Sequence, residues 1–293
     1  MTKVVSIHLM GGLGNQLFQI FAVLSYCIKH GYDLLMPYTE KLNTGEVRQT
    51  YWNNFLSGLK QFTTYNKGIA NETLLHFQLF QELDFTYIPF FPINNEQLNS
   101  MTFFGYFQSY KYFKETQKVI FSLINLEKQQ NEVKNKYYKF DGTVISMHFR
   151  LGDYKNIQDC HPLMPASYYK NALELLIKNI DNTAGIKVLY FCQQQDNELV
   201  TETVNSLKNE DIFKDIEFVK AKDEIQDWEQ MLLMSVCNHN IIANSTFSWW
   251  GAYFNSNKNK KVCYPSLWFG PKLKKDLKDL FPPDWKCVSI KNN

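Results

Sequence analysis

From residue 140 onward the sequence alternates strand-like and helix-like segments with a regularity that few folds can accommodate. Short runs rich in β-branched and aromatic residues, such as "KVLYFC" at 187–192, predict buried strands, and the segments between them carry apolar residues at helical spacing. The predicted elements are strand 142–149, helix 165–180, strand 187–192, helix 196–208, strand 216–221, helix 225–237, strand 240–244, helix 246–255 and strand 261–265. This alternation predicts an α/β domain built on a parallel, doubly wound sheet.

The first part of the chain begins with the same kind of unit. A predicted strand at 3–10 leads through a glycine-rich turn into a helix that should end at Gly31, and a second strand, "YDLLMPY", follows. Residues 45–115 are aromatic-rich and irregular. We therefore expect two Rossmann-like domains, 1–139 and 140–293, with the boundary at the end of the lysine-rich segment "EKQQNEVKNKYYK".

Composition narrows the classes of function. The 293-residue chain is 45% hydrophobic and 20% charged, as a packed globular protein requires, and its formal net charge of +2 gives no reason to expect a nucleic-acid partner. No apolar run approaches the ~20 residues of a membrane span, and the first residues lack the pattern of a secretory leader. We expect a cytoplasmic protein without an integral membrane segment; peripheral association with the inner face of the membrane stays open.

Ligands of open α/β sheets bind beyond the carboxyl ends of the strands, so the turns after the predicted strands are the places to look. The first such turn is "GGLGNQ" at 11–16. Its glycines could serve only a tight turn, but Gly14 and the side-chain donors Asn15 and Gln16, at a helix N-terminus, would also suit an anion or a sugar. Leu17 occupies the place of the third glycine of a dinucleotide fingerprint, which argues against NAD.

The second turn, "HFRLGDY" at 148–154, contains one of only two arginines among the 31 basic residues of the chain. Arginine can recognise an oxyanion with two parallel hydrogen bonds, which lysine cannot do. Arg150 and Asp153 could form an ordinary surface salt bridge, or Arg150 could hold a phosphate whose charge grows as a bond breaks. His148 is either a core histidine or a ligand contact.

The third turn, "NSTFSWWGAY" at 244–253, opens a predicted helix with hydroxyl and amide side chains. Asn244, Ser245 and Thr246 are all good N-cap residues, and the same helix start would suit a diphosphate. Trp249 and Trp250 are expected to pack into the core or a domain interface rather than to stack on a base. The sequence contains no D-x-D triplet and no convincing set of metal ligands, so we expect neither a metal nor another cofactor.

Taken together with "GYFQSYKYF" at 105–113 and "SYYKNAL" at 167–173, these three turns resemble motifs of the bacterial α-1,2-fucosyltransferases, over essentially the whole chain. The resemblance implies an α/β fold of the GT-B type, in which two Rossmann-like domains face a central cleft. It implies that 1–139 serves the acceptor and 140–293 the donor, GDP-β-L-fucose. It also implies inverting transfer, without a metal, to the 2-hydroxyl of a terminal β-galactose in a glycan acceptor.

The resemblance also implies roles for individual residues. Arg150 matches the arginine that binds the donor diphosphate, with His148 and Asp153 in flanking motif positions. The remaining matches to donor-binding positions are Gly14, Asn15 and Gln16 in the first loop and Asn244, Ser245, Thr246 and Ser248 at the later helix start. Asp153 is the first candidate for the general base, and Asp159 and His161 are the second candidates.

Two departures from the family pattern concern guanine. The family often has acidic residues where this chain has Gln193–Gln195, and again where it has Gln230. A glutamine offers one carbonyl oxygen where a carboxylate would accept two hydrogen bonds, so Glu229 could take over that role. Two alternatives stay open: a glycosyltransferase of the same fold with another linkage or donor, and a glycan-binding module without activity.

Overall fold

The structure is a computed structural model that describes residues 2–43, 45–139, 141–180 and 185–291. It divides the chain into two compact units. The first unit contains the residues up to Gln129 together with Asp276–Pro282, and the second contains Gln130–Lys275 together with the residues from Pro283 onward. No helix in the described ranges is both long and apolar enough to cross a membrane.

The first unit is built on a four-stranded parallel sheet in the order β2-β1-β6-β5, beside a separate antiparallel pair, β3 and β4. Its elements are β1 Val4–Ile7, α1 Leu13–His30, β2 Asp33–Leu34, β3 Lys41–Leu42, β4 Arg48–Gln49, α2 Thr64–Lys67, β5 Gln78–Gln81, β6 Ser100–Phe104 and α3 Gln117–Leu123. The predicted end of the first helix is confirmed, because Gly31 adopts a left-handed conformation with φ of 65° and its N–H bonds to Cys27.

The second predicted strand is much shorter than the sequence suggested. β2 pairs with β1 only over Asp33 and Leu34. The chain then turns toward a different partner: the N–H of Met36 donates to Phe62, and the carbonyl of Met36 accepts from Thr64. This isolated bridge diverts the segment from the sheet.

The second unit contains a six-stranded parallel sheet in the order β12-β11-β10-β7-β8-β9. Its strands and helices are α4 Leu126–Tyr137, whose first residues belong to the first unit, β7 Val144–His148, α5 Ala166–Ile177, β8 Lys187–Phe191, α6 Asn197–Lys208, β9 Glu217–Lys220, α7 Asp227–Ser235, β10 His239–Ile241, α8 Thr246–Tyr253, β11 Val262–Pro265 and β12 Lys286–Val288. Counted from β7, the strands lie in the Rossmann order 3-2-1-4-5-6, with the topological switch point between β7 and β10.

The lysine-rich segment at which the boundary was predicted forms most of helix α4. Most of α4 belongs to the second unit, since Gln130 donates to Ser235 and Lys136 pairs with Glu229. The structural division therefore falls near the start of this helix, whereas the sequence placed it after residue 139. Residue 140, where the second domain was predicted to begin, lies outside the described residues.

The core of the second unit holds the carboxyl ends of β7 and β10 in place. Tyr168 and Tyr169 of α5 are buried, and their hydroxyls donate to Ile242 at 2.6 Å and to His148 at 3.2 Å. Trp249 and Trp250 of α8 are completely buried, which confirms the expected core packing. The loops that follow β7 and β10 thus start from anchored backbone.

Candidate active site

The loops after β7 and β10 meet at the switch point of the second sheet. The hydroxyl of Tyr154, on the loop after β7, lies 3.4 Å from the carbonyl oxygen of Asn244, on the loop after β10. The ring of His148, the last residue of β7, lies 5.5 Å from the ring of Phe247, in the first turn of α8. Because ligands of such sheets bind beyond the carboxyl ends at the switch point, this is the candidate site.

Arg150 is held in place by three neighbours. Its Nη2 donates to Asp153, its Nη1 donates to Oε1 of Gln193 at 3.2 Å, and its guanidinium carbon lies 4.8 Å from the ring centre of Tyr154. The predicted pair of Arg150 with Asp153 is therefore present. A guanidinium has five N–H donors, and these two hydrogen bonds occupy two of them. The arrangement fixes the plane of a cation that can still donate to an oxyanion.

His161 packs against the same tyrosine. The rings of His161 and Tyr154 stack with their centres 4.6 Å apart. Burial lowers the pKa of His161; the Asp153 carboxylate opposes this shift, and the Arg150 guanidinium adds to it. A neutral imidazole thus lies beside residues 149–156, the segment after β7 that carries Arg150 and is called the arginine loop below. Asp159 is placed differently, since its exposed carboxylate lies 2.9 Å from Nζ of Lys272.

His148, at the end of β7, is buried and neutral. Burial, with the positive charge of Arg150 as a second cause, lowers its pKa to about 3. Its Nδ1 is buried without a hydrogen-bond partner among the described residues, and the same is true of Nδ1 of His161 and Oδ1 of Asn244. Buried polar atoms are nearly always bonded, so three such atoms in these adjoining loops indicate a region made for contact with a polar ligand or water.

The start of α8 uses its polar side chains largely for its own structure. Ser245 is the N-cap, which confirms the capping prediction for this residue, and its hydroxyl accepts from the N–H of Phe247 at 3.3 Å. Ser248 is completely buried and donates back to Ser245, and Asn244 donates to Pro162 at 2.9 Å. Ser248 therefore does not fit its predicted role in binding the nucleotide sugar. The backbone N–H groups around Thr246 still form the start of a helix, as predicted.

In the first unit, the glycine-rich turn leads from β1 into α1. Gly11 has φ of +74°, and a Cβ there would lie 2.6 Å from Nδ2 of Asn15. The N-cap position is Gly12, so Asn15 lies inside the first turn, as does buried Gly14. Oδ1 of Asn15 accepts from Gln108 at 3.0 Å. Gln108 follows β6, the strand beside β1, and its role was not predicted although it lies in the motif "GYFQSYKYF".

Gln16 is committed to the protein's own backbone. Its Nε2 donates to the carbonyl oxygens of Gly11 and Gln49, both at 2.9 Å, and the residue is 1% exposed. An amide nitrogen carries two hydrogens, and both are used. The predicted role of Gln16 as a donor to a ligand is therefore corrected: this side chain fixes the turn.

Glu229, the suggested replacement for the missing guanine-binding acid, is also engaged within the protein. Its carboxylate accepts from Nζ of Lys136 at 2.9 Å and from the hydroxyl of Tyr137 at 2.8 Å, and the residue is buried. This pairing anchors α4 to α7, which does not fit the expectation that Glu229 binds guanine. Gln230 donates its Nε2 to Ile225 at 2.9 Å, which orients its amide.

Comparison with known proteins adds relatives that extend over most of the chain. Residues 49–289 match the family model described as glycosyl transferase family 11. Two relatives from Escherichia coli are each 26% identical: an alpha-1,2-colitosyltransferase, aligned over 98% of this chain and 99% of the relative, and the O-antigen biosynthesis glycosyltransferase WbnK, aligned over 92% and 96%.

A solved structure supports the fold. The glycosyl transferase family 9 protein from Veillonella parvula matches with a TM-score of 0.50 at 12% identity, over 98% of this chain and 86% of that one. The predicted α/β class of the GT-B type is confirmed, with a parallel sheet in each unit.

Proposed function

This chain belongs to glycosyl transferase family 11, and from that premise we propose that it transfers L-fucose from GDP-β-L-fucose to the 2-hydroxyl of a terminal β-galactose in a glycan, with inversion. The observation that carries the proposal is the placement of Arg150. It follows the central strand of a Rossmann sheet, at the switch point, with its guanidinium held by Asp153, Gln193 and Tyr154.

In the proposed reaction the acceptor oxygen forms a bond to the anomeric carbon of fucose as the bond to the diphosphate breaks, and GDP leaves. Negative charge therefore grows on the diphosphate. A fixed guanidinium offers parallel hydrogen bonds to such an oxyanion, and the N-terminus of α8 adds backbone N–H groups and a favourable dipole. Loss of one such electrostatic support typically costs about 10² to 10³ in rate.

The acceptor hydroxyl must lose a proton during this reaction. The carboxylate of Asp153 is bonded to Arg150 and so serves to orient the guanidinium. His161 is the better candidate, because burial lowers its pKa and so keeps the imidazole neutral and able to accept a proton at pH 7. In this proposal Asp153 orients the arginine and His161 is the base.

The proposed transfer needs no metal ion or other cofactor. Within the described residues there is no group of three or more His, Cys, Asp or Glu side chains that could hold a metal ion. Arg150 and the start of α8 would meet the charge of the leaving group instead. Rates in excess EDTA should equal the rates with added magnesium or manganese, and a rate that only a divalent ion restores would contradict this part of the proposal.

GDP-colitose is the second candidate donor, because one of the two relatives is named an alpha-1,2-colitosyltransferase. Colitose is fucose without its 3-hydroxyl, so the two donors share the GDP group that Arg150 would bind.

The test is to incubate the protein with lactose and either donor, and to measure GDP release and the mass of the product. Fucosyl-lactose formed faster than its colitose analogue supports the proposal, and the reverse order favours the second candidate. Lactose binding without GDP release would identify a glycan-binding module.

A further inference from the structure

Asp196 occupies the N-cap position of α6, yet its carboxylate is not used to cap that helix. The side chain is completely buried and is directed toward the loop after β7. Its Oδ2 accepts from the N–H of Gly152 at 2.8 Å, and its Oδ1 lies 2.6 Å from Nζ of Lys155. A buried carboxylate is costly unless it is paired, and both partners of Asp196 lie on the arginine loop.

These two contacts lie on either side of Asp153, the residue that holds Arg150. Gly152 has φ of +42°, a conformation that favours glycine, so the N–H that Asp196 accepts belongs to an unusual backbone turn. The buried carboxylate thus stabilises the turn at Gly152, and its ion pair with Lys155 holds the same loop at a second point, three residues later.

The preceding residues of the same segment complete the support. Oε1 of Gln193 accepts from Nη1 of Arg150, and a Cβ added at Gly152 would lie 2.1 Å from that oxygen. The segment Gln193–Asp196 therefore contacts the arginine loop at its backbone, at Lys155 and at the guanidinium. Residues 193–195 are all glutamines, so Asp196 is the first carboxylate after β8. It lies where it can accept a hydrogen bond from the N–H of Gly152.

We propose that Asp196 is a positioning residue: through Gly152 and Lys155 it holds the arginine loop so that Arg150 presents its guanidinium to the diphosphate of the nucleotide sugar. The inference rests on the proposed function for the identity of that ligand. Asp196 does not touch the ligand itself, so its effect on GDP must pass through Arg150.

The test is a double-mutant cycle on the full chain, with the dissociation constant of GDP measured by calorimetry. Asp196→Asn keeps an oxygen for Gly152 but loses the ion pair with Lys155, and we expect it to weaken GDP binding about fivefold or more and to lower kcat about tenfold. In the Arg150→Lys background the same change should add less than about twofold, because the group it positions is already gone.

Lys155→Met provides an independent arm if Asp196→Asn fails to fold, since it removes the ion pair and leaves the bond to Gly152. It should show the same coupling to Arg150→Lys. Lys170→Met is the matched control, because Lys170 forms an ion pair with Glu210 away from the arginine loop, and GDP binding should be unchanged.

Three outcomes would overturn the inference: a lower melting temperature with unchanged GDP binding, losses that multiply in the double variants, or no effect of either change. Failure of the proposed function looks different: the wild-type protein would then bind GDP without transferring fucose, or bind no GDP at all.

Discussion

The carboxylate of Asp153 accepts a hydrogen bond from Nη2 of Arg150, which lies three residues earlier on the same loop. Both side chains are partly exposed, so the pair contributes little to stability, on the order of 0 to 1 kcal/mol. Its effect is geometric. With Gln193 bonded to the other terminal nitrogen, the guanidinium has one orientation at the carboxyl end of β7.

Replacing Arg150 by lysine should keep the charge and the fold but lower kcat at least about tenfold. A lysine ammonium cannot bond Asp153 and Gln193 and still offer parallel hydrogen bonds to a phosphate. The control is Arg48→Lys, a change of the other arginine, which pairs with Glu46 in the first unit. Steady-state kinetics with GDP-fucose and lactose would measure both, and near wild-type turnover of Arg150→Lys would refute the assignment.

The pH dependence of kcat separates the two candidate bases. The pKa of His161 is lowered from 6.5, so a rate that needs neutral His161 should rise with pH below 6.5 and be level above it. His161→Gln should lower kcat by about 10² or more and remove that rise. Asp153→Asn keeps an oxygen for Arg150 and should retain both the rise and much of the rate. If Asp153→Asn removes the rise and His161→Gln does not, Asp153 is the base.

Neighbouring residues on α7 should respond differently to substitution. Glu229→Gln weakens the contacts with Lys136 and Tyr137 that join α4 to α7, so we expect a lower melting temperature and an unchanged KM for GDP-fucose. Gln230→Ala removes an amide that is oriented by its hydrogen bond to Ile225. Because the family resemblance places Gln230 where guanine would be bound, this change should raise the KM for GDP-fucose with little change in kcat. A raised KM for Glu229→Gln at an unchanged melting temperature would restore Glu229 as the guanine contact.

The second unit could be predicted from the sequence because its central strands are covered on both faces. All five residues of β7 are buried, and this mostly apolar strand lies between segments that carry apolar residues at helical spacing. In the first unit, β5 lies at the sheet edge with all four residues exposed, and its sequence "QLFQ" carries no such signal. Helix α4 was interpreted as a boundary because it is mostly polar.

Within the candidate site, residues that follow central strands could be predicted, whereas their supporting partners could not. Arg150 was found from its scarcity and its place after β7. The contacts of Asp196 with the arginine loop, and of Glu229 with α4, join segments far apart in sequence. The sequence pattern places Asp196 at the start of a predicted helix, and only tertiary structure shows which loop its carboxylate supports.

His148 should make the protein sensitive to mild acid. Its pKa is about 3 in the folded protein, far below the 6.5 of an ordinary histidine, so the unfolded chain binds a proton that the folded chain excludes. The contribution of neutral His148 to the free energy of unfolding is therefore fully present above pH 6.5, and it is lost as the pH falls from 6.5 toward 3. His148→Gln should lose less melting temperature between pH 7.5 and pH 5 than the wild type. His76→Gln, at an exposed position, should follow the wild type.

Two adjacent amides at the start of α1 give the last test. Gln16 is buried and bonds the carbonyl oxygens of Gly11 and Gln49, so Gln16→Ala removes both hydrogen bonds, at a net cost of about 0.5–1.5 kcal/mol each. We expect a clear fall in melting temperature for this variant. GDP-fucose should still raise that temperature, because the amide of Gln16 is not available to a ligand.

Asn15→Ala should behave in the opposite way if Asn15 serves the donor, as the family resemblance implies. Asn15 lies inside the first turn rather than at the N-cap, which is Gly12, so its loss removes no cap. We expect a melting temperature close to the wild type, a much smaller thermal shift with GDP-fucose, and slow turnover. Thermal shift assays with and without donor measure both variants. If Asn15→Ala melts several degrees lower and keeps the donor-induced shift and its turnover, Asn15 only supports Gln108, to which it is bonded.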